Sequence, residues 1–379
     1  MTPDLKGADA LLMIGSSERC ANLFYATRFR APDPFVFLWT PSEKIMLANS
    51  LESNRARDQA SVDLVLSYTQ YAKQAKKRCQ ERPNSNAVLL ELLRDLGLAK
   101  LQVPADFPLG TADFLRGEGI ELAIATEPLF PQRKIKDSTE IENVRRAMRA
   151  AEAGMETAVE GLRTSAVRDG VLFLNGDVLT SERLRRMVHQ TLMDCDSIGE
   201  HTIVAGGDQG CDPHQVGFGP LRAGEAVVID IFPRDEASGY YGDLTRTVCK
   251  GPVSKPLRHL YETVLEAQQL GLEHIRPGAE GHLIHQAIQQ FFRDAGYETK
   301  EQDGYMQGYI HGTGHGLGLE IHEGPRIGPC GDVLESGHVV TMEPGLYYRG
   351  LGGVRIEDTV VICADGYENL CSLPKVLEV

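Results

Sequence analysis

The chain has no surplus of positive charge. Its 39 lysines and arginines stand against 53 aspartates and glutamates, for a formal net charge of −14 and a pI near 5.3. A nucleic-acid partner calls for a basic face, so none is expected; acidity of this size mainly serves solubility. There is no run of about 18 apolar residues, the length a membrane span requires. The opening stretch MTPDLKGADALLMIG has only a short apolar run, Ala10 to Ile14, and an early Asp4. It does not read as a signal peptide. The eight cysteines (Cys20, Cys79, Cys195, Cys211, Cys249, Cys330, Cys363 and Cys371) form no Cys-x-x-Cys pair. Scattered thiols of this kind are expected to be reduced, in a cytoplasmic protein. Internal repeats and low-complexity tracts are also missing.

Three familiar motifs are absent from the most unusual segment, IHGTGHGLGLEIHEGPR (310–326), which holds three histidines and five glycines. A dinucleotide fingerprint would need a glycine at Leu317 or Leu319, and no Gly-Lys-Ser/Thr follows for a phosphate loop. His322-Glu323 runs into Gly324-Pro325, which forbids the helix of a zincin motif. What remains is an extended, glycine-rich segment whose backbone can pass close to a ligand while selected histidines point inward.

What is present is ordinary globular composition, 42% hydrophobic and 24% charged over 379 residues, enough for about two domains. Residues 1–127 read as a small α/β domain: strands over FVFLW (35–39), KIMLA (44–48) and ELAIA (121–125), helices over 56–78 and 87–97. The proline-bearing stretch TEPLFPQRKIKDST reads as a linker. The second domain, 128–379, opens with a helix from 138, capped by Asp137 with Glu140 as its capping-box partner. Ile141, Val144, Met148, Ala151, Met155, Val159 and Leu162 form its apolar stripe. Further helices are expected at 181–194, 256–274 and 281–295, and strands at 225–231, 240–248, 338–343 and 354–362. The fold class is therefore α/β (α+β) in both domains.

The later strands carry acids where acids are costly. Asp230 ends Ala-Val-Val-Ile-Asp-Ile; Glu343 ends Val-Val-Thr-Met-Glu; Glu357 interrupts Val-Arg-Ile-Glu-Asp-Thr-Val-Val-Ile; Asp243 sits early in its strand. An ionised group on a half-buried strand costs several kcal/mol unless it is paired or binds a metal. Strand alternation puts Arg355, Glu357 and Thr359 on one face, and Asp243, Thr245 and Thr247 on another. Four carboxylates and one imidazole make an oxygen-rich donor set suited to two divalent ions, Mn²⁺ or Co²⁺ before a thiolate-loving Zn²⁺. Such a pair polarises a carbonyl and makes hydroxide accessible near neutral pH.

In this order, residues 230–243, 311–326, 341–347 and 354–358 resemble the pita-bread metallopeptidases: prolidase, aminopeptidase P and methionine aminopeptidase. The resemblance spans about residues 130–379, and the first third is similar, more weakly, to the N-terminal domain of prolidase, aminopeptidase P and creatinase. It implies a C-terminal pita-bread catalytic domain with a creatinase-like N-terminal domain. It implies metal ligands at Asp230, Asp243, His315, Glu343 and Glu357, with Asp243 and Glu357 bridging. Glu343 would also shuttle a proton, His322 would steady the tetrahedral intermediate, and His214 would contact substrate. His311 would wall the pocket, Arg326 would bind the carboxylate of a dipeptide, and Tyr347 matches a tyrosine common in these enzymes, assigned here to substrate binding. Arg355, with Thr245, would orient the carboxylates. His201 has no counterpart and is expected to be structural.

The implied activity is a Mn²⁺-dependent exopeptidase cleaving Xaa-Pro bonds in di- or oligopeptides, most simply an Xaa-Pro dipeptidase, with aminopeptidase P the alternative. A homodimer is implied as well. A metal-free creatinase-like hydrolase and a non-catalytic binding module are disfavoured, because the ligand set is complete. One departure stands out. Asp230 and Asp243 are 13 residues apart, wider than the family norm, and Ile231-Phe232-Pro233-Arg234 replaces small residues. The even insertion preserves strand parity, and Asp235 in the longer hairpin is a rival ligand.

Overall fold

The computed structural model describes residues 4–78 and 83–379; Cys79 lies outside them. The chain divides into two compact units, Met1–Pro131 and Gln132–Val379.

The first unit is one six-stranded sheet with helices. Its strands are β1 (Ala10–Gly15), β2 (Phe35–Trp39), β3 (Lys44–Ala48), β4 (Leu64–Ser67), β5 (Lys100–Val103) and β6 (Glu121–Ile124). They lie in the order β4-β3-β2-β1-β5-β6, with β1 parallel to β5 and antiparallel to β2. Helices α1 (Ala21–Thr27), α2 (Ser53–Gln59), α3 (Tyr68–Arg78), α4 (Ser85–Asp95) and α5 (Leu109–Gly117) connect them. The short apolar run Ala10–Ile14 proves to be part of β1. Ala10 and Leu12 enter one core and Leu11 and Met13 the other, which is why the run does not alternate. The helix expected over 56–78 is instead α2, β4 and α3. Leu64-Val65-Leu66 pairs parallel to β3 at the sheet edge, and that pairing overrides local helix preference.

The second unit packs two helix pairs on opposite sides of its strands. Helix α6 (Ser138–Arg163) has the expected capping box, with the Asp137 carboxylate accepting from the Glu140 N–H at 2.9 Å. It shares a core with α7 (Ser181–Asp194), while α8 (Lys255–Glu273) and α9 (Gly281–Asp294) share another. A three-stranded sheet holds β7 (Ile203–Gly206), β8 (Ala226–Ile231) and β9 (Leu244–Cys249), in that order and antiparallel. The later strands are β10 (Gly314–Gly316), β11 (Glu323–Ile327), β12 (Val339–Met342), β13 (Gly345–Tyr348), β14 (Gly352–Arg355), β15 (Asp358–Cys363) and β16 (Gly366–Asn369). Five of them form a sheet ordered β11-β10-β12-β15-β16, and β13 pairs with β14. Val340 and Val360 face the α8–α9 core while Val339 and Val361 face the α6–α7 core, so these strands are buried on both sides.

Two strand expectations change. The run 354–362 is broken at Ile356-Glu357, where the chain passes from β14 to β15. The run 240–248 becomes a strand only at Leu244; before it, the chain runs so near α6 that a Cβ on Gly242 would strike the Ala147 backbone. Of the cysteines, Cys195, Cys211, Cys249, Cys330, Cys363 and Cys371 are free thiols. No helix among the described residues is long and apolar enough to cross a membrane.

Candidate metal centre

The five predicted ligands converge from four strand ends and the middle of a fifth strand. Asp230 lies opposite Thr245 in the β8–β9 ladder, and Asp243 stands two residues before Thr245, so all three share a face. His315 is the middle residue of β10; Glu343 follows β12; Glu357 occupies the break between β14 and β15. The His315 Nε2 is 3.3 Å from Glu343 Oε1 and 3.6 Å from Asp243 Oδ2. One donor atom each from Asp243, His315 and Glu357 fall within 4.8 Å of one another. The glycines flanking His315 serve the sheet rather than a ligand. A Cβ on Gly314 would strike the Thr341 carbonyl, and one on Gly316 would strike the Gly324 carbonyl. Only glycine lets neighbouring strands close around the imidazole.

The electrostatics here favour a cation. Burial, followed by repulsion from Glu357, raises the Asp243 carboxyl well above its usual range. Burial also raises Glu357, with Glu343 and Asp230 adding to it, and Glu343 is raised despite His311 and Arg355 nearby. Burial lowers His315 to about 4, so it is neutral at pH 7 and its lone pair is free. Its Nδ1 sits 3.2 Å from the Gly316 carbonyl, which makes Nδ1–H the donor and turns Nε2 toward the acids. The Asp230 Oδ1 is buried without a hydrogen-bond partner among the described residues. An orphaned carboxylate oxygen beside a crowded hard donor set fits divalent metal ions.

Behind the acids lies a hydrogen-bonded row. The buried Arg355 donates to Asp230 Oδ2 at 2.8 Å, to Tyr347 Oη at 3.0 Å and to Thr245 Oγ1 at 3.3 Å. Thr245 in turn donates to Glu357 Oε2 at 2.7 Å. His311 Nδ1 faces the Gly312 carbonyl at 2.7 Å, so its Nε2 accepts from Tyr347 at 2.8 Å. Tyr347, expected against substrate, is fully buried and touches the cleft lining through His311 and Arg355.

The acids open into a cleft of about 770 Å³, lined also by His214, His311, His322 and Arg326. The His322 ring stands edge-on to His315 with centroids 4.4 Å apart. Partial burial, with the Arg326 charge adding to it, holds it below its usual range. Arg326 is exposed, and its guanidinium has no ion-pair partner among the described residues. His201, expected to be structural, is exposed on the cleft wall with φ +56°. Phe232 lines the cleft too, and sequence reasoning treated it only as a departure. The signal was available: Phe232 has the strand parity of Asp230. Asp235 is no rival ligand. Its Oδ1 accepts from the Ser238 N–H at 2.7 Å and the Ser238 hydroxyl at 2.5 Å, closing the hairpin tip.

The sequence pattern described as metallopeptidase family M24 matches residues 142–364. The Xaa-Pro dipeptidase of Pyrococcus furiosus is 34% identical over 251 residues, a match spanning 65% of this chain and 65% of that relative, just under two thirds of its length. A solved Xaa-Pro dipeptidase from Bacillus anthracis superposes with a TM-score of 0.80 at 26% identity, covering 98% of this chain and 96% of the other. A solved X-Pro aminopeptidase from Thermotoga maritima has the same fold, with a TM-score of 0.80 at 24% identity and 98% of each chain covered. The expected architecture, an N-terminal α/β domain followed by a pita-bread domain, is the one these structures share.

Proposed function

Because the chain belongs to metallopeptidase family M24, we propose that it is a dinuclear metallo-exopeptidase hydrolysing Xaa-Pro bonds, and specifically an Xaa-Pro dipeptidase. The observation that carries the dipeptide reading is Arg326. It is a cation without an ion-pair partner among the described residues, on the wall of the cleft into which the four acids open, whereas the other lining cation, Arg355, is held by Asp230. A guanidinium there suits a free carboxylate, held bidentately. The Xaa-Pro dipeptidases that this chain resembles support the same substrate class.

Two divalent ions held by Asp230, Asp243, His315, Glu343 and Glu357, Mn²⁺ first and Co²⁺ or Zn²⁺ as alternatives, would polarise the scissile carbonyl and ease deprotonation of water. Glu343 takes a proton at its carboxylate and returns it to the leaving proline nitrogen. A neutral His322 donates an N–H to the oxygen of the tetrahedral intermediate. Arg355 holds Asp230 in place, and Thr245 holds Glu357. On the other wall, Ile203 pairs across from Asp230, and Phe232 extends the same face. That apolar surface receives the side chain of the first residue.

The test is to strip metal with chelator, reload with Mn²⁺, and offer equal Ala-Pro and Ala-Pro-Ala. Loss of Ala-Pro alone supports the dipeptidase. Loss of the tripeptide alone supports an aminopeptidase P and leaves Arg326 structural. Loss of neither, with metal bound, overturns the substrate class.

A further inference from the structure

Three cations close behind the cleft wall have no part in the chemistry above. Along β11 the alternation turns His322 and Arg326 to the cleft and Glu323 away from it, and accordingly Glu323 does not line the cavity. Its side chain is only 9% exposed, yet it is an acid. Oε1 is 2.6 Å from Lys136 Nζ, whose side chain is 1% exposed, and Oε2 pairs with Arg133. Arg133 also reaches Glu320 at 2.9 Å. A third cation, Lys134, binds Asp332 Oδ1 at 3.0 Å, and Asp332 Oδ2 accepts the backbone N–H of Arg326 at 2.8 Å.

The segment supplying these cations is itself tied down. Lys136 donates its N–H to the Gly337 carbonyl at 2.8 Å, and Ile135 bridges His338. Glycines make room for the arrangement: a Cβ on Gly318 would strike the Glu323 carboxylate, and one on Gly324 would meet the Lys134 side chain. A buried ion pair is a poor source of stability compared with apolar packing of the same volume. What it supplies is direction, since each carboxylate oxygen is held along a hydrogen bond.

We propose that Lys136 and Arg133 are positioning residues. They act through Glu323 to set the twist of β11 and so aim His322 and Arg326 at the substrate, while Lys134 and Asp332 hold the Arg326 backbone. The assignment rests on the peptidase reading for what the aim is used for, but the clamp itself is independent of it.

The experiment uses the Mn²⁺-loaded full chain and the variants Lys136→Met, Lys136→Arg, Glu323→Gln, Arg326→Ala and the double variant Lys136→Met/Arg326→Ala. Misplacing a substrate group by about 1 Å can cost up to a hundredfold in rate. We expect Lys136→Met and Glu323→Gln to raise KM for Ala-Pro at least tenfold with metal content unchanged, Lys136→Arg to restore most of it, and the double variant to have the KM of Arg326→Ala alone. Unchanged KM in the single variants, or additive losses in the double, would overturn the proposal. Hydrogen–deuterium exchange supplies a readout without substrate: Lys136→Met and the milder Glu323→Gln should speed exchange over residues 319–327 and leave β8 untouched. If wild type ignores Ala-Pro, the dipeptidase reading falls, and the exchange data still decide the clamp. Unaltered exchange over 319–327 sinks it.

Discussion

Two adjacent carboxylates show how completely placement decides a residue's behaviour. Glu357 faces the metal centre, where burial and neighbouring acids raise its pKa. Asp358, one residue on, faces the other way into Arg246 at 2.8 Å and Lys375 at 2.6 Å. Burial pushes Asp358 up, but those two cations outweigh it and its pKa ends below the usual range. A folded pKa below the unfolded value, near 4, means that the unfolded chain binds more protons in the window between them. The stability from Asp358 is therefore complete above about pH 4 and is lost as pH falls through its folded pKa. Arg246→Met, which leaves the buried carboxylate to Lys375 alone, should cost about 3 kcal/mol in urea unfolding at pH 7, with a smaller loss at pH 3. An equal loss at both pH values would mean that the pair matters only through packing. The opposite sign holds for Asp243, whose charge is unfavourable until metal arrives. Asp243→Asn should bind less metal than wild type, yet melt higher than wild type when both are stripped. A lower melting temperature for the stripped variant would contradict the raised pKa.

At the scale of elements, parity and close approach position the chemistry. The hairpin between Asp230 and Asp243 is long, but its even insertion keeps both acids on one face, and Asp235 is spent on the tip. β10 fits between β11 and β12 only because glycine flanks His315. Gly314→Ala should therefore reduce metal content sharply while far-ultraviolet circular dichroism stays near wild type; full metal loading would show that the sheet can yield. The α6 cap is a more ordinary device, and Asp137→Ala should cost about 0.5–2 kcal/mol in chemical denaturation. Elements whose own residues carry the signal were readable in advance: the α6 cap and stripe, α7, β2 and β3 all stand where spacing puts them. β4 was not, because its strand state comes from pairing with β3, which no local window contains.

For the whole molecule, the candidate metal centre draws on distant segments of the second unit, from β8 to the break before β15. Ligands that bind only the folded state add stability by mass action, about 2.7 kcal/mol at a hundred times Kd. Chelation should therefore lower the melting temperature of wild type, and Mn²⁺ should restore it; indifference to chelator would deny metal its place at these five residues. The fold class, the family and the five converging donors were legible in the sequence. An acid on an apolar strand, a histidine between glycines and an even spacing are local features with few physical explanations. Only the tertiary structure decided which groups stand behind them. Tyr347 belongs behind His311, His201 and Phe232 belong on the cleft wall, and Lys136 reaches a carboxylate 187 residues away. Those outcomes depend on contacts between segments far apart in the chain. A charge buried by such contacts carries no mark of its partner in its own neighbourhood.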